Sequence, residues 1–195
     1  MNLHCIGCGL RLKTYLKKFR IPLSVTILVA GLAWIWFTRF PVGPGPSSSI
    51  EAAQVGFLAP DFTLSSLYSQ EIRLANLKGG PIVLNFWASW CPPCKAEMPA
   101  FQEAFQEYSG SNLQIVAINA TNQDSLTEVT LFVEEYGISF PIPLDQSGAV
   151  SRDYQVHSLP TTYFIDKNGI IKEIIIGGPI PLSLLRIQVS QLLAE

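Results

Sequence analysis

The sequence predicts an α/β protein: a mixed central sheet between helices, preceded by one N-terminal transmembrane helix. Three observations carry this reading. Residues 21–37, IPLSVTILVAGLAWIWF, form a run without charge. Residues 82–87, IVLNFW, form a second apolar run that leads directly into Trp90-Cys91-Pro92-Pro93-Cys94 and then into helical spacing. Beyond them, strand-like and helix-like segments follow in an order that builds a sheet covered by helices.

Seventeen uncharged residues at about 1.5 Å each make a helix of about 26 Å, close to a hydrocarbon core of roughly 30 Å. Pro22 fits the first turn of such a helix. Before the run lie Arg11, Lys13, Lys17, Lys18 and Arg20, and the first 50 residues carry +6 with no Asp or Glu. The remaining residues hold seven basic and fifteen acidic side chains, so they carry −8. The positive-inside rule then places residues 1–20 in the cytoplasm and the acidic part across the membrane. A cleaved signal peptide would have an apolar core of about 7–15 residues and a small-residue cleavage site. Here aromatic residues end a longer run and Thr38-Arg39-Phe40-Pro41 follows, so a retained anchor is expected at 21–38; the serines at 47–49 are the alternative, a cleavage point. The acidic outer part offers no basic patch for nucleic acid.

In chain order, the tail 1–20 carries Cys5 and Cys8. Two thiols are half of a tetrahedral zinc site, and His4 is crowded against Cys5, so reduced exposed thiols are the plainer reading. Residues 39–50 are rich in Pro, Gly and Ser and read as an extended linker. The folded domain then spans 51–195. Within it, 58–64 and 71–74 read as a short hairpin. The run 82–87 reads as a strand buried on both faces. A helix starts at Pro92 or Pro93 and runs to about Tyr108, with Met98, Phe101, Ala104, Phe105 and Tyr108 as its apolar stripe and Pro99 as an expected kink. Residues 113–119 form the next strand, parallel to the first if the helix is its crossover. A helix at 126–136 ends at Gly137, an extended piece follows at 140–144 and a helical turn at 149–154. Strands at 161–165 and 170–176 flank Asp166-Lys167-Asn168-Gly169, a hairpin signal, and 182–193 closes the chain as an amphipathic helix.

The chemistry centres on Cys91 and Cys94. A thiol placed just before a helix faces free N–H groups and the positive end of the dipole, both of which favour thiolate. Cys94 faces back toward it within the first turn, so a disulfide can close. Cys91 would then attack a substrate disulfide and Cys94 would resolve the mixed disulfide. A closed loop this short adds little stability as a permanent crosslink, and four metal ligands are not nearby. Pro92 and Pro93 lack N–H groups, which removes two potential donors to the Cys91 thiolate and argues for a reductant. Glu97 lies three residues after Cys94 on the same face. It reads either as an ordinary first-turn acid complementing the dipole or as the acceptor of the Cys94 proton. Trp87 and Trp90 read as packing residues, Trp90 with a further place on the contact surface; His157 reads as an exposed loop residue.

These residues resemble the thioredoxin superfamily, and within it the membrane-anchored TlpA/ResA-like thiol–disulfide oxidoreductases. The likeness covers about 55–193. It rests on Ala59-Pro60-Asp61-Phe62, on Leu84-Asn85-Phe86-Trp87-Ala88-Ser89-Trp90-Cys91-Pro92-Pro93-Cys94 with Glu97-Met98-Pro99, and on Leu159-Pro160-Thr161-Thr162-Tyr163-Phe164-Ile165-Asp166 with Gly169. The resemblance implies a thioredoxin-like fold, a cis-proline at Pro160, and a Leu159 backbone that pairs with the substrate strand. It implies that Glu97 is the active-site acid/base, since Asn85 stands where thioredoxin has a buried Asp. It implies no cofactor beyond the Cys91–Cys94 disulfide, no metal, a disulfide-containing protein as substrate, and a membrane electron donor for re-reduction. Reduction of apocytochrome c before haem attachment is one such task. The Ala-Pro-Asp-Phe segment also resembles peroxiredoxins, but Ala88 occupies the place of their Thr before the reactive cysteine. A peroxidase, or a non-catalytic client-binding and redox-sensing module, are the alternatives to an extracytoplasmic disulfide reductase.

Overall fold

The computed structural model describes residues 23–39 and 51–194. Cys5, Cys8, His4, the tail 1–20 and the linker at 40–50 lie outside the described residues. Helix α1, Leu23–Arg39, has 17 residues and lies one or two positions later than the expected 21–38. Val25, Ile27, Leu28, Val29, Leu32 and Trp34 are exposed on it. At about 26 Å it is shorter than a hydrocarbon core, and no helix among the described residues is long and apolar enough to cross a membrane.

Within the folded domain, β1 (Thr63–Ser65) and β2 (Glu71–Arg73) form an antiparallel pair, and α2 (Leu74–Leu77) follows at once. The hairpin is shorter than its sequence pattern. Leu58 makes isolated bridges to Glu51 and Ile170, and Leu74 donates its N–H to the Phe62 carbonyl instead of extending β2. β3 (Ile82–Trp87), α3 (Pro92–Glu107) and β4 (Gln114–Asn119) form the expected parallel crossover unit. A short 3-10 turn, Thr121–Gln123, leads to α4 (Leu126–Glu135); α5 (Ala149–Asp153) follows. β5 (Thr161–Ile165) and β6 (Ile171–Ile176) are the second hairpin and α6 (Leu182–Leu193) ends the chain. Gly169, at φ +86°, makes the turn between them, while Asp166 Oδ1 accepts from the Asn168 and Ile170 N–H groups.

The main sheet runs β4-β3-β5-β6, with β3 parallel to β4 and antiparallel to β5. Every β3 residue is buried, as an interior strand with both faces covered must be. Side chains alternate between two cores. Val83 and Trp87 join Met98 and Phe101 of α3, Phe132 of α4 and Leu185 of α6. Ile82, Leu84 and Phe86 join Phe62, Val116, Tyr154 and Tyr163. Asn85 therefore falls on the face of Val83 and Trp87, where α3 packs. That parity puts a polar side chain in the middle of an apolar sheet, opposite the helix that carries the cysteines.

Candidate active site

The site grows from the junction of β3 and α3. Cys91 is the N-cap of α3 in extended geometry, and its Sγ accepts the Cys94 N–H at 3.3 Å. With prolines at 92 and 93, the first amide able to reach the sulfur is that of Cys94. Cys91 and Cys94 are joined as a disulfide, with Cα atoms 5.3 Å apart. Cys94 is fully enclosed and Cys91 is 2% exposed.

A network missed in the sequence holds the loop that presents the pair. Asp124 accepts from both the N–H and the Oγ of Ser89, each at 2.6 Å, and from Asn119 Nδ2 at 2.9 Å. Trp90 is 54% exposed and donates its indole N–H to the Gln123 carbonyl at 2.9 Å. Nothing in the sequence around Asp124 points back 35 residues to Ser89.

One turn into α3, Glu97 is wholly buried, not a solvated first-turn acid. Its Oε1 accepts from Asn85 Nδ2 at 2.9 Å, and its Oε2 accepts from the Ile180 N–H at 3.0 Å. Burial pushes its carboxyl up from 4.5 to about 7, against the two hydrogen bonds, which favour the carboxylate. Asn85 Nδ2 also donates to Thr162 Oγ1 at 2.9 Å. The Ile180 contact spans 83 residues, so no local signal in the sequence points to it.

The Leu159–Pro160 bond is cis, as the motif implied, and so is Gly178–Pro179, which it did not. Gly178 brings Pro160 to Glu97. A Cβ on that glycine would sit 2.6 Å from Glu97 Oε2 and 2.7 Å from Pro160 Cγ. The Leu159 backbone makes no backbone hydrogen bond among the described residues. Leu159 and Trp90 line one cavity of about 140 Å³ with Gln123, Val156 and His157. His157 is exposed on its rim. All six residues expected at the site thus gather around the N-terminus of α3: Cys91, Cys94 and Glu97 on the helix, Trp90 before it, and Leu159 and Pro160 across from it.

Known proteins resemble this chain in sequence and in fold. Residues 55–174 match the model of the AhpC/TSA family. The thioredoxin-like protein YneN of Bacillus subtilis is 37% identical over 163 residues, 83% of this chain and 91% of that protein. The thiol-disulfide oxidoreductase ResA of Geobacillus kaustophilus is 38% identical, covering 83% of this chain and 90% of its own. Among solved structures, StoA from Bacillus subtilis superposes with a TM-score of 0.59 at 30% identity, over 66% of this chain and 96% of that one. A secreted disulfide oxidoreductase of Mycobacterium tuberculosis, homologous to E. coli DsbE, superposes at 0.61 with 26% identity, over 67% and 96%.

Proposed function

Because the chain belongs to the AhpC/TSA family and to its ResA-like thiol–disulfide oxidoreductases, we propose that it reduces protein disulfides outside the cytoplasm, held there by an N-terminal anchor. The observation that carries the chemistry is the Cys91–Cys94 disulfide closing the N-terminus of α3. In the reduced protein, the Cys91 thiolate attacks one sulfur of a substrate disulfide. That bond breaks, a Cys91–substrate mixed disulfide forms, and the first substrate thiolate leaves and takes up a proton. Cys94 gives its proton to the Glu97 carboxylate, and its thiolate attacks Cys91 Sγ. The second substrate thiolate leaves and is protonated. The substrate gains two electrons and two protons; the enzyme ends as the disulfide. A carboxyl poised near 7 is matched to taking and returning that proton.

The reducing direction rests on the two prolines. They leave the Cys94 amide as the donor on Cys91 Sγ, so the thiolate is held less strongly and the disulfide is the more stable state. A client strand would lie along the free Leu159 backbone beside Pro160, with Trp90 flanking it. An apocytochrome c whose haem-attachment cysteines have oxidised is a client of the right chemistry, and a membrane dithiol donor would restore the reduced enzyme.

Two features support the anchor and the location. Residues 21–37 are uncharged and overlap α1, and all net positive charge sits on the N-terminal side of the chain. Residues 1–20 would then be cytoplasmic and 51–195 extracytoplasmic. Protease added outside intact cells, or outside right-side-out vesicles, should digest the domain and spare the tail.

The full-length chain should reduce insulin disulfides with dithiothreitol as donor, and substitution of Cys91 or Cys94 should abolish turnover. Its potential should lie near that of thioredoxin, about −270 mV; a value near −120 mV would overturn the reducing direction. The peroxidase reading gains nothing from the site, where the partner of Cys91 is a cysteine three residues away. Oxidation of Cys91 by low peroxide that outpaces disulfide exchange would revive it.

A further inference from the structure

Asn85 is a fully buried polar side chain at the centre of β3, and three of its hydrogen-bonding positions can be traced. One amide N–H reaches Glu97 Oε1 and the other reaches Thr162 Oγ1, each at 2.9 Å. Its Oδ1, also buried, takes no hydrogen bond from any described group, and among the described residues it is the one buried side-chain oxygen or nitrogen in that position. Such an acceptor costs free energy unless the protein uses it.

Glu97 supplies a use. As a carboxylate it needs donors, and it has two: the Asn85 amide and the Ile180 N–H. As a carboxylic acid it gains an O–H that needs an acceptor, in a site closed to solvent. The groups against it are the Asn85 amide from β3, the Ile180 N–H and the Gly178 backbone. None of these is charged, and the nearby titratable pair on α3, Cys91 and Cys94, is locked in the disulfide. A primary amide presents N–H and C=O side by side. It can therefore give N–H to one carboxyl oxygen and take O–H from the same carboxyl group.

We propose that Asn85 is a positioning residue that holds Glu97 in both protonation states, its N–H serving the carboxylate and its open Oδ1 receiving the proton of the acid. The inference rests on the reading of Glu97 as the group that takes the Cys94 proton. It adds where that proton is held. When Cys94 S–H gives its proton to the carboxylate, the new carboxyl O–H bonds to Asn85 Oδ1. The proton stays on Glu97 until a leaving thiolate collects it, and no electron moves in this step. An Asp at this place would add a second acid beside the first, and an apolar residue would strand the O–H.

The test uses the full-length disulfide form in detergent micelles, labelled with 13C and 15N at Asn and Glu, so that the cysteines do not titrate. From pH 9 down to 5, the Glu97 carboxyl signal should titrate, and Asn85 13Cγ should move to lower field with the same midpoint, as a carbonyl does on accepting a hydrogen bond. In Glu97→Gln the Asn85 signal should be flat. In the reduced full-length protein, Asn85→Ala should slow resolution of a mixed disulfide by about tenfold, the loss expected for one hydrogen bond to a charged or proton-carrying group. If Glu97 titrates and Glu97→Gln resolves slowly, but Asn85 13Cγ is static or moves to higher field, this proposal alone is overturned. A Glu97 that does not titrate, or a Glu97→Gln variant that resolves at the parent rate, overturns the base reading and this proposal with it.

Discussion

Gly178 lies so close to Glu97 that a Cβ added to it would fall 2.6 Å from the carboxylate Oε2. The same Cβ would fall 2.7 Å from Pro160 Cγ, so one glycine lets the carboxyl and the cis-proline share a wall. Gly178→Ala should displace both. Overpacking of this kind costs about 1–3 kcal/mol, and resolution of the mixed disulfide should slow by roughly tenfold for each 1.4 kcal/mol lost from the productive geometry. Gly177→Ala is the control: at φ +88° it strains the backbone but meets nothing within 4 Å. Urea unfolding and single-turnover kinetics should therefore show both variants weakened in stability, and only Gly178→Ala impaired in Glu97-dependent resolution.

Burial of Glu97 has a thermodynamic sign. The unfolded chain releases this proton near the ordinary 4.5, the folded chain near 7. Between these values the folded state holds a proton that the unfolded state lacks, so stability falls as pH rises. The contribution is fully present below about 4.5 and is lost as pH rises through about 7, a swing of about 3 kcal/mol. Glu97→Gln should remove that slope. Urea midpoints of the oxidised protein at pH 5 and pH 8 should converge in the variant and separate in the parent; equal slopes would mean that Glu97 titrates as a solvated acid.

Much of this frame is legible in the sequence. β3 and α6 fall at their expected bounds because an unbroken apolar run and a period near 3.6 leave little choice. α3 likewise starts at Pro92 and runs through Pro99 without interruption. The first hairpin arm starts at Thr63 and not at Leu58, because within 58–62 only Leu58 makes bridges, to Glu51 and Ile170, and Pro60 has no N–H for a ladder. α2, four residues long, has no room for a period. At the site, the cysteines, Glu97 and Pro160 were readable, whereas the walls around Glu97 were not. Its contacts to Asn85 and Ile180 join residues 12 and 83 positions apart, and burial at a helix's first turns depends on what the sheet and the 177–181 segment place over it.

Asp124 anchors the loop before Cys91 through three hydrogen bonds from Ser89 and Asn119. Removing the carboxylate leaves the Ser89 and Asn119 donors without their acceptor, at about 1–3 kcal/mol for each group that solvent does not reach. Asp124→Ala should therefore lower stability by about 2–4 kcal/mol. It should also loosen the N-cap geometry at Cys91. Unfolding curves measure the first effect, and amide exchange at residues 89–91 measures the second. Rapid exchange confined to that loop is expected; uniform change across the sheet would mean that Asp124 supports the fold and not the loop.

Substitution of Trp90 tests docking apart from chemistry. Its ring is more than half exposed, and its indole N–H is spent on the Gln123 carbonyl rather than on the cysteines. Truncation to Ala removes one edge of the cavity it shares with Leu159, while α3 and the disulfide keep their own supports. Stability should change by less than about 1 kcal/mol, as for other exposed positions. If the ring packs on the client chain, KM for a protein disulfide should rise several-fold, by the order of 1–2 kcal/mol that a partly desolvated aromatic contributes at an interface. kcat should hold. Reduction of a small disulfide, which makes no contact beyond the sulfurs, should proceed at the parent rate. A fall in kcat for both substrates would instead make Trp90 a brace for the Cys91 loop, acting through Gln123 alongside Asp124.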